Sequence, residues 1–217
     1  VTDTALIDEL GLYFLTQAVK SQKKLATSAP KTLFVFASGN DGTDNDIYPV
    51  SPANAGLSNT LSVGASINYQ GIAPFSNYGK KTVDVLAPGV GIVSSVPGDR
   101  HMALSGTSQA APFVAGIAAG IKDINPSLSP LEIKTIIIGT VDVKDELKDK
   151  ILSSGIANRD RALEAAELTK TISLASAIEA AHTTIADQAV NHDFINVDKI
   201  VPMPLGSPII SNMGPYK

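Results

Sequence analysis

Two short strings in this 217-residue sequence combine residue types that can do chemistry. In Ser105-Gly106-Thr107-Ser108-Gln109-Ala110-Ala111-Pro112, a hydroxyl stands at the head of a run of small apolar residues that reads as a helix. A serine at a helix N-terminus has unpaired backbone N–H groups and the positive end of the dipole beside it. The same donors can hold the negative charge that develops on a carbonyl oxygen when the hydroxyl attacks the carbon. Gly106 permits close approach, and Ala110 and Ala111 leave room above the hydroxyl. In Ala37-Ser38-Gly39-Asn40, an apolar strand ends in small residues and a side-chain amide. Taken singly, neither feature is diagnostic, because serine is an ordinary helix cap and Gly-Asn an ordinary turn. The complete strings carry the signal.

The elements that must position these strings follow from periodicity. Leu6, Ile7, Leu10, Phe14 and Ala18 recur at helical spacing and predict a helix over residues 4 to about 25, acidic at its head and lysine-rich at its tail. Leu33–Ala37 is a short continuous apolar run, the pattern of a parallel strand buried on both faces. Thr60–Ala65, Thr82–Leu86 and Ile92–Val96 read as further strands bounded by Gly, Pro or Asn. Gln109–Ile121 is apolar all round and built from small residues, which predicts an enclosed helix with neighbouring backbones very close. Pro112 falls near the last of its unpaired N–H positions. Leu131–Ile138, opened by Ser129-Pro130, and Asn158–Leu168 read as two more helices. Helices alternating with buried strands predict an α/β layered fold with a mostly parallel sheet. Past Leu168 the texture changes to alanine-rich, helix-like sequence as far as about Val190, then to Pro202, Pro204, Pro208 and Pro215 without periodicity. Residues 169–217 therefore read as a C-terminal extension lying on the surface.

Composition narrows the function classes. Charged residues make up 18% and apolar residues 44%, which excludes wholesale disorder. A net charge of −4 without a Lys/Arg cluster argues against nucleic acid as a partner. No cysteine is present, so disulfides, thiolate catalysis and Cys-based metal sites are excluded. No stretch approaches 18 uninterrupted apolar residues, and no helical membrane span is expected. The histidines are His101, His182 and His192.

The string Ser105–Gly116 resembles the nucleophile block of subtilisin-like serine proteases, GTSxAAPxVAG. Val35–Asn40 resembles that family's strand ending in the oxyanion-hole asparagine. Tyr48–Ser66, with Ser51-Pro52-Ala53 and Ser62-Val63-Gly64-Ala65, resembles its YPA…VGA stretch. Phe75–Gly79 with Val83–Gly89 resembles its FSxxG…vDvxAPG stretch, and Gly155–Asn158 with Ala162-Leu163 its closing turn and helix. The resemblance covers roughly residues 1–168, in the family's order. It implies the C-terminal portion of a three-layer, subtilisin-like α/β peptidase domain that lacks its N-terminal part. It implies Ser108 as nucleophile, with the Asn40 side chain and the Ser108 N–H as oxyanion donors. Ala37, Ser38 and Gly39 would form one wall of the S1 pocket, with Val50 and Asp41 near its base and rim, and the Ser51–Pro52 peptide would be cis. Gln109 stands where many members carry an oxidation-prone methionine, so lower peroxide sensitivity is expected. Phe113 stands where histidine is frequent and should only pack.

A serine nucleophile needs a base and a carboxylate that orients it. In this family both precede the oxyanion asparagine, and no histidine lies between Val1 and Asn40. His101 sits in a Gly98-Asp99-Arg100 turn, and His182 and His192 sit in the extension, where the family has no catalytic group. Asp84 matches a structural position. The leading expectation is a serine endopeptidase acting on polypeptides. Its triad Asp and His would come from a separate upstream chain of the same precursor, cut before Val1. The alternative is a catalytically inactive fragment or a pseudoprotease acting as a binding module. The resemblance also implies a secreted or cell-surface zymogen. No cofactor is required; Asp41, Asp44, Asn45 and Asp46 form an acidic loop with oxygen ligands suited to a structural Ca²⁺, and a solvated loop is the plainer reading.

Overall fold

The computed structural model of the chain describes residues 4–188. It opens with helix α1 (Thr4–Ser28), followed by strand β1 (Phe34–Ala37), a 3₁₀ turn at Ala53–Ala55, and strands β2 (Thr60–Ile67), β3 (Gly71–Ile72) and β4 (Val85–Pro88). A hairpin of β5 (Ile92–Val96) and β6 (Arg100–Leu104) leads into α2 (Thr107–Ile124) and α3 (Pro130–Gly139). Short strands β7 (Asp142–Val143) and β8 (Gly155–Ile156), then α4 (Arg159–Leu168) and α5 (Leu174–Thr184), complete the described residues. The main sheet has the order β1-β2-β4-β8-β7, with β1, β2, β4 and β8 parallel and β7 antiparallel to β8.

Alternation along the strands divides the core in two. Leu61, Val63 and Ala65 of β2, with Val85 and Ala87 of β4, pack against Ala110, Val114 and Ile117 of α2 and Ile133 and Ile136 of α3. Leu86 points the other way and packs with Val83, Leu147, Ile151 and Ile156. The cap-then-proline start of α3 forms a full capping box between Ser129 and Glu132. Asn158 caps α4 through Arg161 N–H.

Several expectations need correction. The Thr82–Leu86 strand begins at Val85, because Val83 N–H and Asp84 N–H are used by Gly79 and Ser62 carbonyls outside the ladder. β1 is half-buried along its length rather than buried on both faces, because it is the outer strand of the sheet. α2 is enclosed on one side only: Pro112, Ala115, Gly116 and Ala119 are exposed. Pro112 lies inside α2, where its missing N–H leaves the Ser108 carbonyl without its usual helical partner. On α1 the inward stripe is Leu15, Ala18, Val19, Gln22 and Ala26, while Leu10 and Phe14 of the expected face are exposed. α1 is apolar on more than one side, and the other described residues cover only one of them. An open groove of about 230 Å³ runs between β1, α2 and α3, lined by Leu33, Val35, Ala115, Ala119, Leu128 and Ile133.

α5 lies within the stretch read as a surface extension, yet it buries Ala177 and Ala181 against the α3–α4 layer. The segment after it is held by polar groups. Arg161, only 2% exposed, donates to Ile185 O, Val141 O, Asp142 Oδ1 and Asp187 Oδ1 at 2.8–3.0 Å. Asn158 donates to Asp142 Oδ1, and Asp142 Oδ2 accepts from Gln188 N–H. Among the described residues no helix is long and apolar enough to cross a membrane.

Candidate active site

The two chemistry-bearing strings meet at the C-terminal ends of the parallel strands. β1 delivers Asn40 and β4 runs through Pro88 into Gly89, whose carbonyl accepts from Gly106 N–H at 2.8 Å. The hairpin β5–β6 returns the chain so that Ser105 Oγ receives Gly91 N–H at 2.9 Å, and α2 then starts with Gly106 as its N-cap. Ser108 is thus the second residue of α2 and its side chain caps nothing. It is exposed, and among the described residues no hydrogen bond engages its hydroxyl.

The first-turn amides of α2 are distributed unequally. Thr107 N–H donates to Asn40 Oδ1 at 2.9 Å, and the N–H groups of Gln109 and Ala110 go to the Gly106 carbonyl. Ser108 N–H has no acceptor among the described residues. The Thr107 hydroxyl donates to Asn40 Oδ1 at 3.0 Å and accepts from Gly39 N–H at 3.2 Å. With its oxygen committed twice, the Asn40 amide turns its Nδ2 donors outward, unengaged. A Cβ placed on Gly106 would stand 2.8 Å from Gln109 Oε1, 3.5 Å from Asn40 Nδ2 and 3.7 Å from Ser108 N. Two unused donors therefore stand on the same side of this glycine, at the positive end of α2 beside a free hydroxyl, with the Gln109 side-chain oxygen next to them.

Of the other residues singled out from the sequence, Ala37 and Gly39 are half-buried beside Asn40, Ser38 is fully buried, Asp41 is exposed and Val50 is half-buried. Ser38 turns its hydroxyl inward to Asn77 O, its N–H donates to Val63 O and its carbonyl accepts from Asn45 Nδ2, so all its polar groups are engaged within the protein. The Ser51–Pro52 peptide is cis. Phe113 packs against the core.

The acidic loop spends its oxygens on folding. Asp44 Oδ1 accepts from Asp46 N–H, and the Asp46 carboxylate accepts from Lys81 N–H and the Thr82 hydroxyl. Asn45 is fully buried and donates to Ser38 O. Among the described residues, no three His, Asp or Glu side chains are grouped to hold a metal.

The histidines lie elsewhere. His101 is on β6, opposite Ser95, rather than in the turn, which consists of Gly98 and Asp99 at positive φ. His182 contacts Gly139 O at the end of α3, at 2.8 Å. His192 lies outside the described residues. Asp84 is buried, accepts from Ser62 N–H and pairs with Lys134 at 2.8 Å. It ties β2 and α3 together and has no contact with the Ser108 site. Thr107 and Asn77 were not singled out from sequence, and Asn45 was noted only as part of the acidic loop. Thr107 stands inside a recognised string, whereas Asn77 and Asn45 bond across 32–36 residues, a separation that no local pattern encodes.

Comparison with known proteins agrees with this architecture. The family model described as the subtilase family, Peptidase_S8, matches residues 8–188. Subtilisin Savinase of Lederbergia lenta is 39% identical over 148 residues, which are 68% of this chain and 50% of that protein. Alkaline elastase YaB of Bacillus sp. (strain YaB) is 38% identical over 140 residues, 64% of this chain and 34% of the relative. Among solved structures, a protease of Pseudoalteromonas arctica PAMC 21717 matches with a TM-score of 0.57 at 30% identity, over 66% of this chain and 46% of that one. The A-subunit of an AB5 toxin from E. coli shares the fold, with a TM-score of 0.56 at 24% identity over 70% of this chain and 55% of that one. The chain spans between a third and a half of the length of these curated relatives. With the matched model reaching from α1 to the segment behind α5, the chain belongs to the subtilase family of serine peptidases.

Proposed function

We propose that these residues form the nucleophile-bearing part of a serine endopeptidase that hydrolyses polypeptides. Ser108 Oγ attacks the scissile carbonyl, and the oxyanion lies between Asn40 Nδ2 and Ser108 N–H. The observation that carries this reading is the pair of unengaged donors, Asn40 Nδ2 and Ser108 N–H, brought together beside Gly106 and next to an unbonded serine hydroxyl. Donors fixed before the reaction stabilise charge without reorganising as it forms. Ala37, Ser38, Gly39, Asp41 and Val50 belong on this reading to the substrate-binding side.

The base and its carboxylate come from polypeptide outside these 217 residues, an upstream segment of the same precursor that remains docked after cleavage. Three surfaces support such a partner. β1 offers an unpaired edge, which a further strand would complete. α2 exposes Ala115, Gly116 and Ala119, which allow a second helix to approach closely. The groove between β1, α2 and α3 has mainly apolar walls, with Lys31 and Lys122 also lining it. Extracellular placement rests on family resemblance. A bound Ca²⁺ has no part in the proposed chemistry.

Fluorophosphonate labelling of the natural protein with intact-mass analysis tests the reading. Labelled Ser108 together with a co-purifying upstream polypeptide is expected. Absence of label on Ser108 with the companion present overturns the catalytic assignment and leaves a binding module. Label on a single uncut polypeptide overturns the two-chain arrangement alone.

A further inference from the structure

Asn40 is held by its neighbours as well as by Thr107. Asn77, in the turn between β3 and β4, is fully buried and binds the chain on both sides of Asn40. Its backbone N–H donates to Gly39 O at 3.0 Å, and its side-chain Oδ1 accepts from Asp41 N–H at 2.8 Å and Thr43 N–H at 3.2 Å. Its Nδ2 donates to Asn45 Oδ1 at 2.9 Å, Asn45 Nδ2 donates to Ser38 O at 2.9 Å, and the Ser38 hydroxyl donates to Asn77 O at 3.1 Å. The ring of bonds closes on itself and encloses residues 38–45. Gly39 is at φ 113°, and a Cβ there would fall 2.5 Å from Asn77 Nδ2, so the loop is pressed directly onto this amide.

We infer that Asn77 is the positioning residue for Asn40: by gripping residues 39 and 41 together, it sets where the Asn40 amide stands relative to Ser108. The inference rests on the reading of Asn40 as an oxyanion donor. Asn77 itself touches no reacting atom. Its amide suits the task because one side chain supplies the acceptor for two backbone N–H groups and the donor for Asn45. The network is buried and complete, so it restrains the loop to one conformation. An alanine leaves Asp41 N–H and Thr43 N–H without that acceptor and lets Asn40 drift from the oxyanion, where displacements of about 1 Å cost on the order of a hundredfold in rate.

The test is a double-mutant cycle on peptide hydrolysis by the full-length protein to which these residues belong. Asn40→Ala, Asn77→Ala and the pair are compared, with Ser108→Ala as the background rate. Asn77→Ala is expected to lower kcat on the order of ten- to a hundredfold with little change in KM. In the Asn40→Ala background the same change should cost less than about threefold, since a positioning residue has nothing left to position. Asn77→Asp keeps the acceptor for Asp41 and Thr43 N–H groups. It should recover part of the lost kcat, and it serves where the alanine variant fails to accumulate. Equal losses in both backgrounds overturn the inference and mark Asn77 as structural only. If Asn40→Ala leaves kcat unchanged, or wild-type turnover does not depend on Ser108, the oxyanion reading itself fails, and the inference with it.

Discussion

The unpaired donors beside Ser108 make an unusually specific statement for a site of so few residues. A helix N-terminus normally offers several spare N–H groups. Here Gln109 and Ala110 use theirs locally, Thr107 gives its own to Asn40, and among the described residues Ser108 alone keeps one free. Asn40 has the matching arrangement, with its oxygen fixed by Thr107 and its nitrogen open. Asn40→Ala should therefore lower kcat by about 10²–10³ while Ser108 remains open to fluorophosphonate; the magnitude is that measured in subtilisin itself for removal of an oxyanion-hole asparagine. A turnover loss of less than about tenfold would assign the stabilisation to Ser108 N–H alone. At this scale, Ser108 and Asn40 were legible in the sequence because each closes a distinctive string. Thr107 was legible only as part of a string, since its bridging role depends on Gly39 being brought to it from 68 residues away.

At the scale of elements, local chemistry and tertiary cover can be separated. The capping box at the head of α3 is local: Ser129 accepts from Glu132 N–H, and the Glu132 carboxylate returns to Ser129 N–H and hydroxyl. Those bonds hold the Glu132 carboxyl below the usual carboxylate range. Ser129→Ala should cost about 1 kcal/mol, read as a shift in the urea midpoint with the slope unchanged. The open face of α2 is a matter of cover. Ala119→Glu on that face should change the chain's own stability by less than about 0.5 kcal/mol. It should nonetheless prevent docking of the upstream segment and abolish turnover, measured by co-purification and peptide hydrolysis. Retained docking would remove the α2 face from the interface. The all-round apolar character of α2 predicts an enclosed helix, whereas the described residues cover one side of it and leave Ala115, Gly116 and Ala119 exposed. Periodicity registers that a face is apolar, and it carries no information on which residues cover it.

For the whole molecule, the buried Arg161 is the main electrostatic commitment. It joins Thr140–Asp142, α4 and the segment behind α5. Replacing it with alanine strands the fully buried Asp142 carboxylate, a change that costs about 3–5 kcal/mol in comparable buried pairs. Thermal unfolding of Arg161→Ala should show that loss, and a shift within error would mean that α5 is bound by apolar contacts alone. The two carboxyl partners respond oppositely. Burial pushes the Asp142 carboxyl up, whereas the Arg161 guanidinium holds the Asp187 carboxyl below its ordinary value. A carboxyl depressed by folding stabilises the folded state above its unfolded value, and that contribution disappears as pH falls through the folded one. Asp187→Asn should therefore remove part of the stability lost on acidification from about pH 7 to about pH 3, measured as the difference in Tm between the two conditions. An unchanged difference would exclude Asp187 as its source.

The sequence by itself determined the family, the strand-ending asparagine, the serine at the head of a small-residue helix, and the helix starts at Ser129 and Asn158. Each is a local event, written in neighbouring residues through capping, periodicity and turn chemistry. The tertiary structure alone decided which donors stay free, how Asn77 grips both sides of Asn40, how Arg161 anchors residues 185–188, and which faces of β1 and α2 remain open. Those outcomes depend on pairs of groups tens of residues apart and on the cover each surface receives. A parallel sheet brings such groups together through long crossovers that leave no periodic trace in the chain.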